Sequence, residues 1–474
     1  MESERVLVSQ MNNLFGRQEI TTPIEEITQE NLLSVLGEAL AKHNQNSAQI
    51  SYLYDYARGN QPILKRVKYG SRPEICNKVV ENHALEIALF TSGYFLGEPV
   101  TYVRRGEEGS SEAVTKLNDW MFWNDKASCD KDMATWMSIC GVAYRMVQNG
   151  EEVPFAIDTL DPRKTFVVYH SGFGHKRVLA GMQVYRAKGN GAYDEIICGF
   201  TKDFYFEVEG NQITHWDRHL YGQVPIIEYK LNMLRMGSFE PAIPLLDSMN
   251  TLASNRLDGV EQFVQSFLKF KNCDIDKDGI DQLKTLGAIV IKTVNGLDGD
   301  VDVVAQELNQ TQVQSLVDYI YDQVLTISAM PTTKKGGTST SDTGAAVILR
   351  DGWEQCEARA KDTELLFKKS EKEFLKVVFN ILDSDDKVDL DLNISQVECK
   401  FTRRQHDALL SKTQALQNML TAGISPEIAI ASSGLFNDPM DVAAQSEEYL
   451  AKWKPTENQP VAQDDIQDTQ PEEI

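Results

Sequence analysis

LTISAMPTTKKGGTSTSDTGAAVILR, residues 325–350, places a polar loop between two helical patterns. The first pattern stops at Pro331, whose ring fixes φ and removes a backbone donor. Gly344 opens the second. Between them lie Lys334 and Lys335, the only charges before Asp342, in a chain of net charge −23. Taken alone, the two lysines read as ordinary solvated loop residues. A glycine-rich cationic loop is a poor platform for catalysis, but it suits transient contact with a polyanion.

Upstream, residues 309–329 carry Val313, Leu316, Val317, Ile320, Val324 and Ile327 at helical spacing. Asp318 and Asp322 stand at i, i+4 in the same segment, which has no Lys or Arg. A second long helix is predicted from 238 to near Asn272, roughly 45 Å at 1.5 Å per residue. The insert 273–308 reads as a short helix and two strands, the last being DVDVVAQEL. Downstream, 343–382 predicts one long helix with a weak point at Gly352. Residues 387–401 alternate as a strand does, and 405–453 read as helices broken at Gly423–Pro426 and at Asn437–Pro439. The tail 455–474 holds six acidic residues, no Lys or Arg and little to bury, a disordered composition.

The N-terminal 60 residues read as mainly helical, with Thr28 and Asn31 capping a stripe of Leu32, Leu33, Val35, Leu36 and Leu40. A second helix is expected from Glu74 to Leu96. A third is expected over 112–149, its Trp120, Phe122, Trp123 and Trp136 in the core. Over 153–230 short runs such as TFVVYH and DFYFEVEG alternate with GFG, KGNG and EGN, the marks of an antiparallel sheet with hairpins. The fold class is therefore α+β, mainly helical.

Composition narrows the function. An acidic chain of pI 4.8 lacks the basic surface of a general nucleic-acid binder. Its seven scattered cysteines include no CxxC pair and read as reduced, intracellular thiols. No run of roughly 18 apolar residues offers a membrane span, and the N-terminus lacks a signal-peptide core. Asp274, Asp276 and Asp278 with Gly279 resemble the start of an EF-hand loop. The ninth and twelfth positions are Gln282 and Thr285, however, where a calcium loop needs a bidentate Glu at the twelfth. The stretch reads as a capped turn with no metal. His215 and His219 lack the HExxH glutamate, and neither GxSxG nor GxxxxGK[ST] occurs. No catalytic residue and no cofactor are expected.

Five segments, in order, resemble the portal proteins of tailed bacteriophages of the siphophage type. They are YDYARGNQPILKR (54–66), NKVVENHALEIALFTSGYFLGEPVTY (77–102), GQVPIIEYKLN (222–232), SFEPAIPLLDSMNTLASNRLDGVEQF (238–263) and the loop with Ser341, Gly344 and Ala345. The resemblance covers about residues 45–420 and implies a homo-oligomeric ring, usually of about twelve subunits, at one capsid vertex. By position it implies a wing (1–237 and 345–403), stem helices (238–271 and 309–330), a clip (272–308), a tunnel loop (331–344) and a crown (404–454), then the tail. It further implies that Thr332, Thr333, Lys334, Lys335, Thr338 and Ser339 touch double-stranded DNA, that Asp318 and Asp322 line the channel, and that Asp276, Asp278 and Lys284 of the clip dock partners. Those partners are the large terminase subunit, the major capsid and scaffolding proteins and a head–tail adaptor, with no membrane. The location implied is the virion, after assembly in the host cytoplasm. Two alternatives stand beside it: another ring-forming head–tail connector, or a metal-dependent hydrolase using Asp274, Asp276 and Asp278.

Overall fold

The computed structural model describes residues 16–68, 73–105, 112–187, 193–264, 267–271, 300–304, 310–331, 352–384, 388, 390–401, 409–436 and 442–446. The chain divides into two units, residues 1–96 with 128–385, and residues 97–127 with 386–474. Both mix helix and strand, as an α+β chain should. Among the described residues no helix is long and apolar enough to cross a membrane.

In the larger unit, β1 (Ile20–Thr22) is followed by α1 (Leu32–Ala57) and α2 (His83–Phe95). The second unit contributes β2 (Thr101–Arg104) and α3 (Glu112–Trp123), and α4 (Lys126–Cys140) leads back. Then come β3 (Val142–Asn149), β4 (Phe155–Leu160), β5 (Thr165–His170), β6 (Arg177–Ala187), β7 (Tyr193–Thr201), β8 (Phe204–Glu209), β9 (Gln212–Arg218) and β10 (Ile226–Lys230). The predicted sheet region forms two sheets. One has the order β1-β5-β6-β7-β8-β9, the other β10-β3-β4. Pairing is antiparallel except at β1, which runs parallel to β5 with Ile20 opposite Val168. β1 has only three residues, too few for a periodicity to reveal it in a region expected to be mainly helical.

Next come α5 (Ile243–Val264), β11 (Phe267–Lys271), β12 (Asp300–Val304), α6 (Gln310–Ser328) and α7 (Trp353–Ser384). α7 lies across β10 and β3 and closes over Arg145, a fully buried side chain. Arg145 pairs with Glu371 at 2.7 Å and with Asp130, and its guanidinium sits 5.1 Å from the Tyr229 ring and 5.0 Å from the Phe374 ring. Leaving a buried pair half-made costs roughly 3–5 kcal/mol, so this network ties strand, sheet and helix together.

The second unit pairs β2 antiparallel with β13 (Val397–Lys400). Asn118 of α3 bonds both backbone groups of Tyr102, accepting from its N–H at 3.2 Å and donating to its carbonyl at 2.9 Å. α8 (Leu409–Thr421) and α9 (Pro426–Ser433) form a hairpin that turns at Gly423, φ +84.

Several expectations are corrected. The helix expected from Glu74 begins at His83, because the backbone before it is engaged elsewhere. The N–H groups of Asn77, Val79 and Glu81 donate to Asp258 Oδ1 (2.7 Å), Ser254 Oγ (2.9 Å) and Asn250 Oδ1 (2.8 Å) of α5. Alternate N–H groups of an extended chain repeat about every 6.6 Å, and side chains one helical turn apart repeat about every 6 Å. The two periods nearly match, so a polar ridge on the helix zips up an extended segment.

The helix expected over 112–149 is broken by Asp125 at φ 48 and ends at Cys140, after which Gly141 at φ +84 leads into β3. Phe122 and Trp123 are not core: they are 86% and 67% exposed. α3 buries Val114, Leu117 and Met121, and the two aromatics stand about 100° and 200° round from Met121. The first long helix stops at Val264, not near 272, since Leu268 and Phe270 pair with Val303 and Val301 in a hairpin. The strand expected over 387–401 shrinks to Val397–Lys400, where a short 3-10 turn with a capping box holds Asn393 N–H on Gln396 Oε1 at 3.0 Å. Gly352 has φ +80, and α7 starts immediately after it rather than running through it.

Candidate functional site

α5 and α6 pack together and supply the surface to which the sequence assigns a role. α6 seats Val324, Leu325 and Ser328 inward, with Ile320, Tyr321 and Ile327 half-buried. Tyr321 is held from α2. Its ring lies 4.9 Å from His83, and burial first, then the nearby Glu86 carboxylate, raise its hydroxyl pKa. His83 Nδ1 in turn meets Glu86 Oε2 at 2.7 Å.

Asp318 and Asp322 are half-buried on the flank of α6. Gln314 Nε2 donates to Asp318 Oδ1 at 2.9 Å, and Arg256 Nη1 of α5 donates to Gln314 Oε1 at 2.7 Å. A cation on the neighbouring helix thus reaches the first carboxylate through one amide. α6 itself holds two carboxylates and no Lys or Arg, so its own field is negative.

α6 ends at Ser328, three residues before the proline. Met330 N–H donates to Leu325 O (2.9 Å) and Ala329 N–H to Thr326 O (3.1 Å), with Ala329 at φ +50. These paired bonds form a Schellman stop with alanine where glycine is usual. Pro331 then follows, buried. The proline reinforces a stop the backbone has already made.

Thr332, Thr333, Lys334, Lys335, Thr338 and Ser339 lie outside the described residues, as do Asp274, Asp276, Asp278 and Lys284. His215 and His219 serve different partners: His215 pairs with Asp217 at 2.6 Å, while His219 accepts from Tyr221 N–H (3.2 Å) and bonds Thr201 O (3.1 Å). Among the described residues no group of three or more His, Cys, Asp or Glu is placed to hold a metal.

Two features of α5 escaped the sequence reading. The Asn250–Ser254–Asp258 ridge was legible as polar residues one turn apart, but its partner was not. Burial acts to raise Asp258, yet the Asn77 bonds and Lys68 at 3.3 Å outweigh it and hold the carboxyl below its usual range. Asp247 is the reverse case. Burial pushes it up to about 6, against the opposing Tyr56 hydroxyl, which donates to Oδ1 at 2.9 Å. No motif marks it.

The family model for phage portal protein of the SPP1 Gp6-like type matches residues 36–457. The portal protein of Bacillus phage SPP1 is 24% identical over 387 residues, which cover 76% of this chain and 73% of that protein.

Proposed function

Because the chain belongs to the SPP1 Gp6-like family of phage portal proteins, we propose that about twelve copies close into a ring at one capsid vertex. Double-stranded DNA is packaged through its axis by the terminase and later leaves the same way. The family match over residues 36–457 carries this reading. The protein acts as a channel and platform, not as an enzyme, and as a component of the virion.

The parts follow by position. Residues 238–271 and 309–330, which include α5 and α6, are the stem, and residues 272–308 are the clip. Residues 331–344 are the tunnel loop. Residues 1–237 and 345–403 form the wing, and 404–454 the crown. Asp318 and Asp322, repeated round the ring, give a negative wall that repels phosphate, so DNA slides without sticking. Thr332, Thr333, Lys334, Lys335, Thr338 and Ser339 touch the backbone in passing. The clip, through Asp276, Asp278 and Lys284, receives the large terminase subunit and then the head–tail adaptor. Capsid and scaffolding proteins meet the outer body of the ring.

Mass photometry and negative-stain imaging of the purified chain test the ring. The expected particle is annular, about 640 kDa, twelve times 53.3 kDa. A chain that stays at 53.3 kDa at all concentrations would count against the ring.

A further inference from the structure

An open groove of about 330 Å³ lies between α5, α6 and the extended segment zipped onto α5. Leu257 and Val260 of α5 line it, with Val79 from the segment and Val317 from α6; Arg256 and Glu81 add charge. Leu257 and Val260 are each 42% exposed, a degree of exposure at odds with their chemistry in a surface otherwise rich in carboxylates.

α6 carries an aromatic side chain with the opposite problem. Tyr319 is 61% exposed. It stands two residues past Val317, about 200° round the helix. Groove and ring therefore occupy opposite faces of one element.

We propose that Tyr319 of one copy seats in the α5–α6 groove of the next copy. The inference rests on the ring reading above and names the contact that closes it.

Three observations favour a second copy as the occupant. The first is geometry. A two-fold dimer needs a patch that mates with itself, whereas two different patches on opposite faces make a head-to-tail contact, the kind that generates a ring. The second is charge. Copies of a −23 chain repel one another, so a contact needs local complementarity. Tyr319 is flanked by Asp318 and, one turn on, Asp322, and the receiving groove holds Arg256. The third is chemistry. The groove's lining is mainly apolar, with Glu81 balancing the charge of Arg256, which suits an aromatic ring better than nucleic-acid phosphate. Asp318 stands about 100° from both Val317 and Tyr319, on the face between the two contacts. That face is the one left for an axial channel.

The full-length chain provides the test. Tyr319→Ala removes a ring exposed in the single copy, so melting measured below the concentration at which rings form should be unchanged. By mass photometry, the concentration giving half-assembled rings should rise about tenfold or more, as for an interface hot spot. The double variant Tyr319→Cys with Val260→Cys should give, on oxidation, a ladder of covalent oligomers on a non-reducing gel. Neither single variant should do so, nor should the wild type with its seven cysteines. Rings of Tyr319→Ala at the wild-type concentration, with no ladder from the double variant, would overturn this contact and leave the ring reading standing. A wild-type chain that never leaves the monomer would remove the ring reading, and this contact with it.

Discussion

Ala329 holds φ +50 where α6 stops, a backbone state that costs an L side chain roughly 1 kcal/mol. Ala329→Gly should therefore stabilise the chain by about 0.5–1 kcal/mol, read as a higher melting temperature with assembly unchanged. Asp247 is a second site where local conformation and environment disagree. Its folded pKa, about 6, lies above the roughly 3.9 of an exposed aspartate. The unfolded chain thus releases this proton first as pH rises. The stability this group confers is complete below pH 4 and is lost as pH climbs through 6, by roughly 2–3 kcal/mol. Asp247→Asn keeps an acceptor for the Tyr56 hydroxyl and cannot ionise. The difference in stability between variant and wild type should be small at about pH 3 and increasingly favour the variant up to about pH 7.5; a difference independent of pH would refute the assignment. Neither residue is legible in sequence. A left-handed alanine and a desolvated carboxylate arise from what surrounds them.

At the scale of elements, α6 and residues 331–344 after it have separable jobs in the proposed channel. Changing Lys334 and Lys335 together to Ala alters loop side chains, where substitutions usually cost within about 0.5 kcal/mol. Rings should form and enter heads normally, while packaging rate or DNA retention changes, most visibly at low salt. Packaging equal to wild type at low and moderate salt would show that these lysines do not touch DNA. The proposed clip offers the complementary experiment. Charge reversal at Asp276, Asp278 and Lys284 should leave ring formation intact and impair motor docking or adaptor joining, measured by packaging and tail-joining assays. Helix periodicity placed α6 to within a residue of its observed Gln310–Ser328 bounds. It overran α5 because Phe267 and Phe270 continue an apolar pattern that a hairpin partner, β12, draws into a strand. It likewise extended α2 through residues 74–82, whose N–H groups are bonded by α5 side chains remote in sequence.

For the whole molecule, the acidic tail should be dispensable. Residues 455–474 provide six carboxylates and almost no apolar area to offset the entropy of ordering, so their deletion should leave the ring mass lower only by the missing residues. Monomers after deletion would instead make the tail an assembly arm. The sequence by itself determined the class of the fold, the order of most helices and strands, the negative character of α6 and the family. Those properties are local, written in periodicity, composition and motif order, and they survive without knowledge of distant contacts. Only the tertiary structure decided that Phe122 and Trp123 face outward, that Arg145 is buried among Asp130, Glu371, Tyr229 and Phe374, and that Val79, Leu257, Val260 and Val317 meet in one groove. Each depends on residues brought together across long stretches of chain. Burial, ion pairing and exposure are properties of those encounters, and no window of local sequence contains both partners.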